Sequence, residues 1–101
     1  MSDINQVITE ADLMVHLGID YTDDIINANL KQAIEYADGE LRESVDDNYP
    51  VDHPLISELA LIHASASYEK RDLAKNESKR ADQIAMKLCL YLRRVKNEQS
   101  I

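Results

Sequence analysis

Apolar residues recur at helical spacing over several stretches of the chain. The longest stripe covers about residues 23–45, where apolar side chains fall three and four positions apart: Ile26, Leu30, Ala33, Ile34, Ala37, Leu41 and Val45. This spacing places them on one face of a helix. A shorter stripe covers about residues 10–17, with Leu13, Met14 and Leu17 on one face. The pattern therefore predicts a short helix followed by a long amphipathic helix.

Polar residues and a glycine mark the ends of the first predicted helix. Thr9 and Asp12 have the three-residue spacing of a capping box, in which each side chain accepts a hydrogen bond from the other residue's backbone N–H. Gly18 is placed to adopt the left-handed conformation that ends a helix, and Ile19 can make the hydrophobic contact that follows it. The first helix should therefore begin after Thr9 and end at Gly18.

The second helix should begin in the acidic segment that follows. Thr22 or Asp20 is the predicted cap, and Asp23 and Asp24 then lie in the first turn, where the helix dipole favours negative charge. Gly39 interrupts the helix away from its apolar stripe, so a close helix contact there is possible but not required.

A third helix is predicted after the loop that contains Pro50 and Pro54. Proline suits the first position of a helix, so the helix should run from Pro54 to about Arg71, with His53 or Asp52 as its cap. Its inward side chains should be Leu55, Ile56, Leu59, Ala60, Ile62, His63 and Ala66.

A fourth helix is predicted after a polar linker, Leu73–Ser78. It should run from about Ser78 to Val95 and bury Ala81, Ile84, Ala85, Leu88, Tyr91, Leu92 and Val95. The tail from Lys96 to Ile101 should be loose. The predicted fold is thus all-α, a small bundle of about four helices that forms one domain over residues 1–101.

Composition narrows the setting in which such a bundle works. No apolar run reaches the roughly 20 residues needed to cross a bilayer, and the N-terminus lacks the basic and apolar regions of a signal peptide. The lone Cys89 allows no internal disulfide, which fits a reducing compartment. It lies in a Leu-Cys-Leu-Tyr run and is expected to fill the core or its edge.

The net charge of −8 is unevenly distributed. Residues 1–67 hold 14 Asp and Glu against Lys31 and Arg42, whereas residues 68–101 hold nine Lys and Arg against five acids. Two readings are open. The two halves can present complementary faces to other copies of the chain, or the solvated helix faces have simply drifted in composition.

The residues that most often carry chemistry do not form a recognisable motif. His16, His53 and His63 lack the HExxH spacing of a zinc site, and the chain has no glycine-rich phosphate loop. His63 is expected to be a hydrogen-bonded core residue, and His16 to interact with the C-terminal end of the first helix dipole. No enzyme activity, metal or cofactor is expected.

A DNA-binding role is one alternative, because the first two helices have the rhythm of a helix-turn-helix motif. However, the second helix of that pair begins with Asp23 and Asp24 and carries only Lys31 among its early positions. Bringing this end to phosphates would be costly. A second alternative is an unrelated helical module that binds one partner protein.

Taken together, these elements resemble the head–tail connector family of tailed bacteriophages, the head-completion or adaptor proteins. The resemblance spans roughly residues 7–72. It follows Val7-Ile8-Thr9, Asp12-Leu13, Leu17-Gly18-Ile19-Asp20, Asp23-Asp24, Leu30, Ala33-Ile34 and Ala37, and continues through Pro54-Leu55-Ile56, Ala60-Leu61, His63-Ala64, Tyr68-Glu69 and Arg71. The chain departs from the family within the third helix, where Ser67 stands in place of a bulkier aromatic residue. It departs again after that helix, where a charged linker and a longer helix replace a proline-rich stretch and a short final helix.

The resemblance implies a structural subunit that forms a ring beneath the portal protein. The ring would be twelve-fold when bound to the portal, although the isolated protein can be monomeric. It would extend the DNA channel without binding DNA specifically and would dock the next tail-side protein, a stopper or tail component. The expected location is the virion, after assembly in the bacterial cytoplasm and without a membrane step. The residues predicted to meet between subunits are Lys70, Arg71, Lys75, Lys79, Arg80, Asp23, Asp24 and Glu35.

Overall fold

Four α-helices make up the structure, a computed structural model that describes residues 8–99, with side chains described through residue 96. The helices are α1 (Glu10–Leu17), α2 (Asp24–Ser44), α3 (Pro54–Tyr68) and α4 (Lys75–Gln99). No strand occurs in this part of the chain. The prediction of an all-α bundle of four helices is confirmed. Val7, Ser100 and Ile101, which entered the predictions, lie outside the described residues.

Both ends of α1 are built as the sequence indicates. The Asp12 N–H donates to Oγ1 of Thr9 at 3.0 Å, and the Thr9 N–H donates to Oδ2 of Asp12 at 2.9 Å, which completes the capping box. At the other end, Gly18 has a φ of 77°. The Ile19 N–H donates to the Met14 carbonyl at 2.9 Å. Of the two hydrogen bonds that define a Schellman motif, this is the one that spans more residues.

The cap of α2 differs from the prediction. Asp23, not Thr22 or Asp20, is the capping residue, and its Oδ1 accepts a hydrogen bond from the Ile26 N–H at 2.8 Å. Asp23 can do this because its backbone is still extended, with φ −144° and ψ −177°. Asp24 is therefore the first helical residue, and its charge lies in the first turn as expected.

The start of α3 is as predicted, but its end is earlier. Nδ1 of His53 accepts a hydrogen bond from the Leu55 N–H at 3.2 Å, and Pro54 occupies the first turn. The helix ends at Tyr68 and not near Arg71, because Lys70 adopts the left-handed conformation with a φ of 55°. The Arg71 N–H then donates to the Ala66 carbonyl at 3.0 Å, so α3 also ends in a Schellman motif.

α4 is longer than predicted at both ends. The polar segment before Ser78 is already helical from Lys75, because the side chain of Glu77 accepts a hydrogen bond from the Ala74 N–H at 2.9 Å and caps the first turn. The helix continues to Gln99, beyond its predicted end at about Val95.

The core lies where α2 and α3 pack together; α1 packs against both of these helices and α4 packs chiefly against α3. Its largest fully buried apolar side chains come from all four helices: Leu13, Leu30, Leu41, Ile56, Leu59, Ile84 and Leu88. Ile26 and Ile62, predicted as core residues, are half-buried at its rim. The shared core is thus confirmed, but fewer residues of the apolar stripes are fully buried than predicted.

The apolar stripe of α4 is buried only as far as Leu88. Tyr91 is exposed, and Leu92 and Val95 are half-buried, contrary to prediction. The reason is length: at 1.5 Å per residue α4 is about 37 Å long and α3 about 22 Å. Tyr91 contacts His53, the residue before α3 begins, with ring centroids 4.8 Å apart. Beyond this contact α4 extends past the start of α3.

Candidate functional site

The eight residues predicted to form a subunit interface lie in two separate regions. Asp23, Asp24 and Glu35 are exposed on α2. The cations lie at the end of α3, in the linker and on the first turns of α4. Lys70, Lys75 and Lys79 are exposed, whereas the two arginines already contact acids of the same chain.

Arg80 pairs with Glu58 across the contact between α4 and α3. Its Nε lies 2.6 Å from Oε2 and its NH2 nitrogen 3.0 Å from Oε1, the parallel geometry that suits a guanidinium and a carboxylate. This hydrogen bonding lowers the pKa of Glu58 below its usual value. Part of the uneven charge distribution is therefore satisfied within a single subunit.

Arg71 joins the end of α3 to the start of α4. Its Nε lies 2.7 Å from Oε1 of Glu69, and its NH1 nitrogen lies 2.7 Å from Oε1 of Glu77. The pair lowers the pKa of Glu77, chiefly through the hydrogen bond from Arg71. Exchanging Arg71 or Arg80 for Glu would consequently disturb the fold as well as any assembly.

The turn between α1 and α2 exposes large apolar side chains among acids. Val15, Tyr21 and Ile25 are 82%, 67% and 72% exposed. They alternate along the chain with acids that are also exposed, and together these residues form what we call the acidic corner: Val15, Asp20, Tyr21, Asp23, Asp24 and Ile25. A surface of this composition suits contact with a partner that is both apolar and basic.

A second exposed surface runs along the side of α4 that points away from α3. Met86 and Leu90, one helical turn apart, are 66% and 51% exposed. Cations surround them, and we call the set the α4 outer face: Met86, Lys87, Leu90, Arg93 and Arg94. The α4 outer face was not predicted from the sequence, because the periodicity of α4 was used only to identify its inward stripe and not the apolar residues on the opposite side.

Cys89 lies at the edge of this face and not in the core. It is exposed, and its Sγ is 3.6 Å from the Ser44 carbonyl and 3.8 Å from the Val45 carbonyl at the end of α2. Cys89 was expected to fill the core or its edge, and it is exposed instead, because α4 extends past the start of α3 near this point. Its thiol instead donates to carbonyls that the end of α2 leaves without helical partners.

His63 lies on a groove of about 730 Å³ between α2, α3 and the linker. It is half-buried, and burial lowers its pKa below the usual value while the charge of Glu40 opposes that shift. Lys70, whose backbone is in the left-handed conformation, lies on the same groove. His63 thus sits at the edge of the core and faces a groove, whereas the sequence indicated a core position.

A buried polar cluster that the sequence analysis did not identify fixes the proline-containing loop. Asp38 is buried, and its Oδ1 accepts a hydrogen bond from the Tyr49 hydroxyl at 2.5 Å. Its Oδ2 accepts one from Nε of Arg42 at 2.9 Å. The sequence does carry a signal for the burial of Asp38. This residue follows Ala37 directly and precedes Leu41 by three residues, which places it on the edge of the apolar stripe.

Neither a metal site nor a membrane-spanning helix is found in the described residues. No group of three or more His, Cys, Asp or Glu is arranged there to hold a metal ion. None of the helices in that part of the chain is both long and apolar enough to cross a membrane. Comparison with known proteins gave no match to a family model, a curated protein or a solved structure.

Proposed function

We propose that this chain is a structural subunit of a phage head–tail connector, which assembles as a ring beneath the portal and docks a tail-side protein. The observation that carries the proposal is the order of its elements. A capped short helix, a left-handed Gly18, a long acid-capped helix and a helix that begins at Pro54 follow one another at the positions on which the resemblance rests.

The exposed surfaces support a role in assembly. The acidic corner and the α4 outer face each combine large exposed apolar side chains with one sign of charge. Surfaces of this kind are typical of protein contact sites. The acidic balance of the chain also suits a channel wall, since carboxylates repel the DNA backbone and let it slide without specific binding.

The helix-turn-helix regulator receives less support from the geometry. Asp23, the cap of α2, and Asp24, its first residue, are exposed at the end of the helix with which a recognition helix would approach the base edges. Arg71 and Arg80 are paired with carboxylates of the same chain, which makes them less available for phosphate contacts. An isolated interaction module remains the second candidate, favoured by the exposed α4 outer face.

The test is a binding assay with the portal protein encoded in the same genome. The connector proposal predicts that the chain elutes together with portal rings on size-exclusion chromatography and does not shift a DNA duplex at low salt. A duplex shift without portal binding would favour the regulator. Binding to neither would refute the connector and leave the interaction module.

A further inference from the structure

The second half of α4 is more apolar than its packing explains. The run Leu88-Cys89-Leu90-Tyr91-Leu92 is apolar around most of the helix, yet only Leu88 is buried. A helix whose surface is apolar around most of its circumference is normally buried around most of its circumference. α3 begins near this point, since His53 contacts Tyr91, and the end of α2 contacts only the Cys89 side of the run. Within the described residues, no helix therefore covers the opposite side of this part of α4.

The charges around this surface indicate the chemistry of what covers it. Lys87, Arg93, Arg94 and Lys96 surround the run, and no Asp or Glu occurs between residues 83 and 96. A partner must therefore supply apolar groups together with negative charge. The acidic corner has this composition, and no Lys or Arg occurs in the first 30 residues of the chain.

We propose that the α4 outer face of one copy binds the acidic corner of a second copy. This pairing deepens the proposed function and rests on it for the closed ring. It joins two different surfaces, so each copy keeps one surface free for the next neighbour, and repetition gives a ring or a chain. Symmetric pairing of two α4 outer faces would instead bring three cations against three cations.

Apolar side chains supply most of the affinity in this contact. Leu90 and Met86 meet Tyr21 and Ile25 at the centre, where water is excluded. The surrounding charges set the orientation and the rate of association. Ser57 and Gln32 lie outside the two surfaces, so neither residue should contribute to this contact.

Thiol cross-linking tests which surfaces meet. In a Cys89→Ala background, Gln83→Cys marks the α4 outer face and Thr22→Cys marks the acidic corner; both residues are exposed. A flexible thiol-to-thiol cross-linker is added with and without portal rings. The double-cysteine protein should give a ladder of covalent oligomers. Each single-cysteine protein should stay monomeric, because two copies of the same surface do not meet in this contact. As a matched control, Gln32→Cys on the exposed side of α2 should replace Thr22→Cys and lose the ladder.

A second pair of variants tests the chemistry of the contact. Leu90→Asp should reduce the cross-linked fraction about tenfold, the size of effect expected for a central apolar contact. Arg93→Glu and Asp24→Lys should each weaken the ladder, and the two substitutions combined in one chain should restore it. Circular dichroism spectra with the wild-type helix signal show that each variant is folded.

Several outcomes would overturn the pairing. These are the absence of a ladder in both conditions, an equal ladder with the Gln32→Cys control, or symmetric dimers from Gln83→Cys alone. A further refuting outcome is that the chain gives no ladder but sediments with vesicles of anionic phospholipid, and that Leu90→Asp abolishes this sedimentation. That result would assign the α4 outer face to a lipid surface. Portal binding distinguishes the two proposals: a ladder without portal binding refutes the connector alone, and portal binding without a ladder refutes the pairing alone.

Discussion

Tyr49 donates a hydrogen bond to the buried carboxylate of Asp38, and this contact fastens the proline-containing loop to α2. The two oxygens are 2.5 Å apart, and both residues are buried. Burial and the hydrogen bond to Asp38 raise the pKa of the Tyr49 hydroxyl, so it remains a donor at any ordinary pH. The loop sets where α3 begins, so the position of α3 depends on this pair.

The first prediction follows from that contact. Tyr49→Phe removes the donor but keeps the ring, so it leaves one oxygen of a buried carboxylate with fewer partners. The free energy of unfolding should fall by about 1–3 kcal/mol. Chemical denaturation measures it, and Tyr36→Phe, at a half-exposed tyrosine on α2, is the matched control and should change little. Equal stability of the Tyr49→Phe protein would show that the pair does not fasten the loop.

The second prediction concerns the two left-handed residues that end α1 and α3. Gly18 has a φ of 77° and Lys70 a φ of 55°. Lys70→Gly should stabilise the protein by about 1 kcal/mol, because glycine adopts this conformation without strain. Gly18→Val should destabilise it by roughly 1–2 kcal/mol through backbone strain alone, since a Cβ at this position meets nothing within 4 Å. Shifts of the same sign in both variants would contradict this account.

The third prediction concerns Gly39 in the middle of α2. A Cβ added there meets nothing within 4 Å, and the residue is exposed. Gly39→Ala should therefore raise the free energy of unfolding by about 0.5–1 kcal/mol, because alanine loses less backbone entropy in a helix. Thermal unfolding followed by circular dichroism would detect the change. A lower stability would indicate that another molecule or helix approaches Gly39 closely.

The fourth prediction concerns pH and His63. Burial lowers the pKa of this side chain from its usual 6.5, so the unfolded state binds a proton before the folded state does. Stability contributed by neutral His63 should therefore be complete above about pH 6.5 and decline as the pH falls below it. His63→Gln should flatten the dependence between the usual pKa and the lowered one. A wild-type stability that is constant across that window would contradict the assignment.

The helices could be predicted from the sequence because their signals are local. The stripe around Leu30 and Ile34, the capping box at Thr9 and the glycine at residue 18 each act within a few residues. The end of α3 could not be predicted in the same way, because a lysine rarely adopts the left-handed conformation and no propensity indicates it. The start of α4 was missed because Glu77 caps it from within a segment whose polarity suggested a loop.

The candidate surfaces were harder to predict than the fold. Charge counting found the acidic and basic halves, but it could not show that Glu58 pairs with Arg80 inside the subunit. Periodicity wrongly assigned Tyr91 and Leu92 to the core, because an apolar stripe on α4 does not show how far along it α3 extends. The burial of Asp38 likewise depends on Tyr49, eleven residues away, which no local pattern connects to it.

The most direct test of the connector assignment is the mass of the complex formed with the portal. Native mass spectrometry of portal rings mixed with an excess of this chain should show one copy of the chain for each portal subunit, a ring that is twelve-fold on a twelve-fold portal. Portal rings whose mass is unchanged under conditions in which the chain is folded would contradict the account.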